Sequence, residues 1–104
     1  MKQVSGARRG PRILESGVLN EIRTALGYQG WFVVRIQQGL GCYKGMTDLV
    51  ATKNGVTLFI ECKVPGGKQS VYQVEFQRRL EQVGGNYVLA TSYSDVEKYV
   101  KGLF

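Results

Sequence analysis

Residues 47–63 read TDLVATKNGVTLFIECK, and two runs rich in β-branched and aromatic residues flank Asn54-Gly55, the strongest short-range signal for a two-residue type I′ hairpin. If that dipeptide is the whole loop, Lys53 stands opposite Val56, and stepping back from the turn sets Asp48 opposite Glu61. Side chains alternate between the two faces of a strand. Leu49, Ala51, Leu58 and Ile60 therefore form one apolar face, while Asp48, Glu61 and Lys63 share the other, with Lys63 diagonal to Asp48.

Directly facing residues lie about 4.5–5.5 Å apart at Cβ, and two like charges there are destabilising unless a cation lies between them. A divalent metal meets that need. Two carboxylates with no histidine or thiolate pair beside them make a hard, all-oxygen site that suits Mg²⁺ or Mn²⁺ over zinc, and the backbone carbonyl of Cys62 can add a further oxygen. An ion held there polarises a phosphoryl oxygen and lowers the pKa of a water, while Lys63 orients that water and offsets charge in the transition state. This is the chemistry of phosphodiester hydrolysis. The competing interpretation leaves Asp48 and Glu61 as solvated charges on the outer face of a hairpin, each near a lysine.

Downstream of the hairpin, residues 65–69 (PGGKQ) read as a turn, and Ser70 can cap a helix that runs to about Val83 and ends at Gly84-Gly85. Phe76, Leu80 and Val83 define its inward face, Gln73 falls on the edge of that face, and Glu75, Arg78 and Gln82 point away. Gln73 is either a side chain with a buried hydrogen-bond partner or a flanking surface residue. Asn86 to Thr91 reads as a short strand, and Ser94-Asp95-Val96-Glu97 as a capping box opening a last helix through about Lys101.

Upstream, Glu15 to about Tyr28 carries Val18, Leu19, Ile22, Ala25 and Leu26 at helical spacing, with Gly27 and Gly30 stopping the run. Glu15 falls at the centre of the stripe made by Leu19, Ile22 and Leu26, where an ionised carboxylate needs a partner. Alternatively it is a wet glutamate in the first helical turn, favoured by the helix dipole. Trp31 to Ile36 suits a strand, and residues 37–45 (QQGLGCYKG) form a glycine-rich loop with Tyr43 and Lys44 exposed. The order αβββαβα makes one α/β domain over residues 13–104, preceded by a basic arm, residues 1–12 (MKQVSGARRGPR), with no acidic side chain.

The composition narrows the chemistry further. In 104 residues there are 14 Lys and Arg against 8 Asp and Glu, a formal charge of +6, so the field of the protein attracts anionic, phosphate-bearing partners. With no histidine, Ser-His-Asp and Cys-His triads and histidine-liganded zinc are excluded. Cys42 and Cys62 are too few for a disulfide framework and fit a reducing compartment. No stretch approaches the roughly 18 apolar residues of a membrane span, so the expectation is a soluble intracellular protein. Lys2, Arg8, Arg9, Arg12, Lys44, Lys68, Arg78 and Arg79 can supply phosphate contacts, which carry salt-sensitive affinity without sequence information. Tyr43 can stack on an unpaired base or be incidental, and Phe32, Tyr87 and Tyr99 are assigned to the core.

In order along the chain, Glu15, Asp48, Glu61-Cys62-Lys63 and Ser70-x-x-Gln73-x-x-Phe76 resemble the PD-(D/E)XK nuclease superfamily, and within it the virus-type replication-repair nuclease (VRR-NUC) domain. The resemblance runs from Glu15 to Val100 and includes GMTD before the second strand and VGGNYVLATS after the second helix. It implies a restriction-endonuclease-like αβββαβ core with a mixed central sheet flanked by helices, and Mg²⁺- or Mn²⁺-dependent DNA cleavage. On it, Asp48, Glu61 and the Cys62 carbonyl hold the metal, Glu15 joins directly or through water, Lys63 is the catalytic lysine, and Gln73 helps order it. Thr47 stands where the family has a structural proline. Short stand-alone members resemble archaeal-type Holliday-junction resolvases, which act as homodimers on four-way DNA, as two symmetric nicks require. The expectation is thus a structure-selective DNA endonuclease in the cytoplasm of a bacterial or phage-infected cell. A nuclease on duplex or flapped DNA, or a catalytically silent nucleic-acid-binding module, are the alternatives, the last disfavoured because a pure binder would gain stability by losing one of two facing acids.

Overall fold

The hairpin forms as its turn residues dictate. In the computed structural model, which describes residues 13–104, Asn54 and Gly55 both take positive φ, 53° and 80°, as a type I′ turn requires. Strands β2 (Leu49–Lys53) and β3 (Val56–Cys62) pair antiparallel with Lys53 opposite Val56 and Leu49 opposite Ile60, the expected register. Strand β1 (Phe32–Arg35) adds antiparallel to β2, and β4 (Asn86–Ala90) parallel to β3, giving a mixed sheet in the order β1-β2-β3-β4. A parallel neighbour needs a crossover, supplied here by α2 (Val71–Gln82). Helix α1 (Glu15–Tyr28) precedes the sheet and α3 (Tyr93–Leu103) ends it.

The two faces of the sheet are covered differently. Leu49, Ala51, Leu58, Ile60, Cys62, Val88 and Ala90 bury one face under Val18, Leu19, Ile22 and Leu26 of α1 and Val96 of α3. On the other face α2 contributes no fully buried residue. It is held by Phe76, whose ring sits 5.9 Å from Phe59, 5.9 Å from Tyr43 and 6.2 Å from Tyr87, at offsets and tilts that aromatic pairs favour. Gln69 adds a polar tie, its amide donating to the Tyr87 hydroxyl and to Gln77, both at 3.0 Å.

Three local expectations change, and the open reading of Glu15 is decided. The last helix opens at Tyr93 with Ser92 as its cap residue, and no Ser94-to-Glu97 box forms; Asp95 instead accepts from the Thr91 amide at 2.9 Å and hydroxyl at 3.2 Å. A tertiary contact fixes that start, because the Tyr93 amide donates to Glu21 of α1 at 3.0 Å. Val83 is exposed: α2 stops at Gln82, and the chain then folds so closely onto Leu80 that a Cβ on Gly85 would lie 2.5 Å from its side chain. Phe32 is exposed as well, since Val33 takes the core side of edge strand β1 while Phe32 and Val34 face outward, beyond the reach of α2. Glu15 opens α1 as an exposed first-turn glutamate, so of its two readings the wet one holds. Tyr87 is buried and Tyr99 packs against the core as expected. Arg8, Arg9, Arg12 and the rest of the basic arm lie outside the described residues. Among the described residues no helix is long and apolar enough to cross a membrane.

Candidate active site

Where β2 begins, Asp48 is fixed from two sides. Its carbonyl accepts from the Ile36 amide at 2.8 Å, continuing the β1 ladder, and its carboxylate Oδ2 accepts from the Cys62 amide at 2.9 Å, in place of a further backbone rung. The amide and carbonyl of one strand residue point to the same side, so the Cys62 carbonyl also points to the β2 side of β3. The Cys62 thiol points into the apolar core, where burial, reinforced by Asp48 and Glu61, pushes its pKa up to about 12.

Glu61 is the next residue on β3 and is 1% exposed, although its face of the sheet is the wetter one. Its Oε2 accepts from the Gln73 amide at 2.8 Å and lies 3.4 Å from the Lys63 ammonium. Its Oε1 is buried without any hydrogen-bond partner. A buried unsatisfied carboxylate oxygen is costly, and here burial and the neighbouring Asp48 carboxylate, opposed by Lys63, push the Glu61 pKa up to about 7.

Gln73 reaches Glu61 because its other end is used. Its Oε1 accepts from the Ser70 amide at 2.8 Å while the Ser70 hydroxyl accepts from the Gln73 amide at 3.2 Å, a complete capping box. With the oxygen committed to the helix start, the side-chain nitrogen is aimed at the acid. The turn that starts α2 thereby orients Glu61, and the sequence carried both halves of this arrangement without showing that they share one side chain.

The residues singled out from the sequence fall into three groups. Asp48, Glu61, Lys63 and Gln73 come together, with the Cys62 carbonyl beside them. Glu15 acts on Glu61 only as a distant charge, the weakest of the influences raising its pKa, and among the described residues no three acidic or thiol side chains cluster as ligands for one ion. Tyr43 and Lys44 lie on the glycine loop beside α2, and Lys68 is exposed on the turn after β3. Sequence reasoning missed Tyr72, whose ring lies 4.8 Å below the Lys44 ammonium, and Gln38, whose amide donates to the Met46 carbonyl at 3.0 Å and pins the loop. Gly45 was the available signal: at φ 84° a Cβ there would lie 2.1 Å from the Tyr72 carbonyl oxygen, so only glycine lets the loop rest on α2. Thr47 is buried and donates to the Leu49 carbonyl at 3.2 Å.

Asp48, Glu61 and the Cys62 carbonyl offer only oxygens, and Glu61 Oε1 is buried without a hydrogen-bond partner, so these residues fit a hard divalent metal.

Residues 15–101 match the family model described as archaeal Holliday junction resolvase (hjc). The chain is similar to "Putative nuclease p44" of Acyrthosiphon pisum secondary endosymbiont phage 1, 32% identical over 79 residues that make up 76% of this chain and 80% of that one. Among solved structures it is similar to a chain described as a VRR_NUC domain, with a TM-score of 0.73, 23% identity, and coverage of 86% of this chain and 97% of the other. That last likeness bears on the fold, and it bears out the restriction-endonuclease-like α/β core.

Proposed function

Because the chain belongs to the archaeal Holliday junction resolvase family and is built as a VRR-NUC-like nuclease domain, we propose that it is a Mg²⁺- or Mn²⁺-dependent DNA endonuclease selective for branched DNA, acting as a homodimer. The observation that carries this reading is the buried Glu61, with one oxygen held by Gln73 and Lys63, the other unpaired, and the Asp48 carboxylate near enough to raise its pKa. A fold that needed only to bind DNA would lose nothing by replacing it with an apolar residue.

Asp48, Glu61 and the Cys62 carbonyl would hold the ion. When bound, it supplies Lewis acidity toward a phosphoryl oxygen and the attacking water. Every other contribution comes from the chain. The Cys62 amide and the Gln73 amide fix the two carboxylates in advance, so no reorganisation is needed at the moment of reaction. Lys63, its side chain 13% exposed and tethered at Glu61, keeps an ammonium at the site to offset charge developing on the phosphate. Lys44, Lys68 and the arginines of residues 1–12 add phosphate contacts without sequence preference, and Glu15 joins only through solvent.

Incubating a four-way junction, a flap and a linear duplex with Mg²⁺ tests the proposal, beside Lys63→Ala and Asp48→Asn. The junction is cut by the wild type, and both variants cut it at least about 10²-fold more slowly. All three DNAs remaining whole would leave a binding module, and equal cutting of the duplex would remove the structural selectivity. Light scattering that finds a monomer at micromolar concentration would remove the dimer.

A further inference from the structure

We propose that the cavity between the glycine loop and the first turn of α2 is a subsite for one unpaired nucleotide next to the scissile phosphate. The proposal rests on the nuclease reading above and names the part of the substrate that this side of the site selects.

The cavity measures about 310 Å³, near the lower end of small-ligand pockets at about 300–1,000 Å³. Tyr43, Lys44, Ser70, Tyr72 and Gln73 are among its walls. Its two tyrosines keep more than half of their surface exposed, 58% for Tyr43 and 53% for Tyr72, and each is attended by a cation. The Lys44 ammonium stands 4.8 Å from the centre of the Tyr72 ring, and Arg79 donates to the Tyr43 hydroxyl at 3.3 Å. Exposed rings beside lysine and arginine provide the two things a nucleotide offers to grip, a π face and a phosphate.

The platform is held in place before any ligand arrives. Gly45 lets the loop backbone seat directly on Tyr72, Gln38 ties the loop to Met46, and Phe76 supports the Tyr43 ring edge-on at 5.9 Å. Gln73 then connects the cavity to the chemistry: it lines this wall and also donates to Glu61 at 2.8 Å. A nucleotide seated here is one side chain away from the acid, and so is a direct neighbour of the bond being cut. A base within a duplex has both faces covered by its neighbours and gains nothing from the tyrosines. An unpaired base at a branch or flap gains the stack.

Fluorescence of 2-aminopurine, placed unpaired beside the branch of a flap or within a continuous duplex of the same sequence, tests the subsite in EDTA, where binding is read without cutting. Wild-type protein quenches the unpaired probe and leaves the paired one unchanged. Tyr72→Leu, which keeps apolar bulk but no π face, abolishes the quenching and weakens flap binding about tenfold while duplex affinity stays within about twofold; Tyr72→Phe retains both. Equal quenching by wild type and Tyr72→Leu, or an equal loss of affinity for flap and duplex, would overturn the subsite. Cleavage in Mg²⁺ is scored separately: a protein that quenches but never cuts refutes the nuclease reading alone, and one that cuts without selective quenching refutes the subsite alone.

Discussion

The two faces of strand β3 set folding against chemistry. On one side Leu58, Ile60 and Cys62 are wholly buried among aliphatic side chains from α1 and α3. On the other, Phe59, Glu61 and Lys63 lie under α2, a helix that buries none of its residues completely and is fastened by one aromatic cluster and a set of amide hydrogen bonds. Period-two alternation puts both environments on consecutive residues. The dry side supplies apolar burial, the main source of stability. That leaves the α2 side able to keep a buried acid in an unfavourable state, and local strain of this kind is what functional sites retain.

Substitutions that act on one face only can break this division. Ile60→Ala removes core volume and costs about 2–5 kcal/mol of stability, read by urea unfolding, while what remains folded cuts DNA at near the wild-type rate. Lys63→Ala reverses the pattern: cleavage falls by about 10²–10³-fold, the effect of deleting one preorganised charge-stabilising group, with the melting temperature little changed. If both variants lost activity and stability in parallel, the faces would be coupled and the division false.

Glu61 sharpens the comparison through pH. A carboxyl pushed up from 4.5 to about 7 holds its proton more tightly in the folded chain than in the unfolded one. Its contribution is therefore complete below about pH 4.5 and is lost as pH rises to about 7. In EDTA the wild type loses about 3 kcal/mol across that window, at ~1.4 kcal/mol per pH unit; Glu61→Gln lacks this slope and melts higher than wild type at pH 8. Added Mn²⁺ reverses the order by stabilising only the protein that can bind it. Identical pH slopes, or identical Mn²⁺ shifts, would remove the acid from the site. The smallest expected effect is that of Gln73→Leu, which frees Glu61 Oε2 and opens the cap of α2. Stability drops by about 1–2 kcal/mol and cleavage by about tenfold, measured by thermal melting and by single-turnover rates.

Much of this was legible beforehand where the signal was local. Asn54-Gly55 admits one turn, the turn one register, and the register one partition of side chains, so Asp48, Glu61 and Lys63 were placed together from sequence. Helix α1 was found from its periodicity and Ser70 from its capping role. Phe32, Val83 and the start of α3 were misjudged because each depends on a contact far along the chain: the reach of α2 over the sheet, the closure of Gly85 on Leu80, and the bond from Tyr93 to Glu21.

By itself, then, the sequence determined the strand pairing and which residues share a face, because a two-residue loop and a period of two leave no freedom. Only the tertiary structure decided which of the paired acids is desolvated, that the amide of Gln73 both starts a helix and orients Glu61, and that Glu15 remains in water. Burial is set by what packs from above, and the elements that do so are separated from these residues by long stretches of chain.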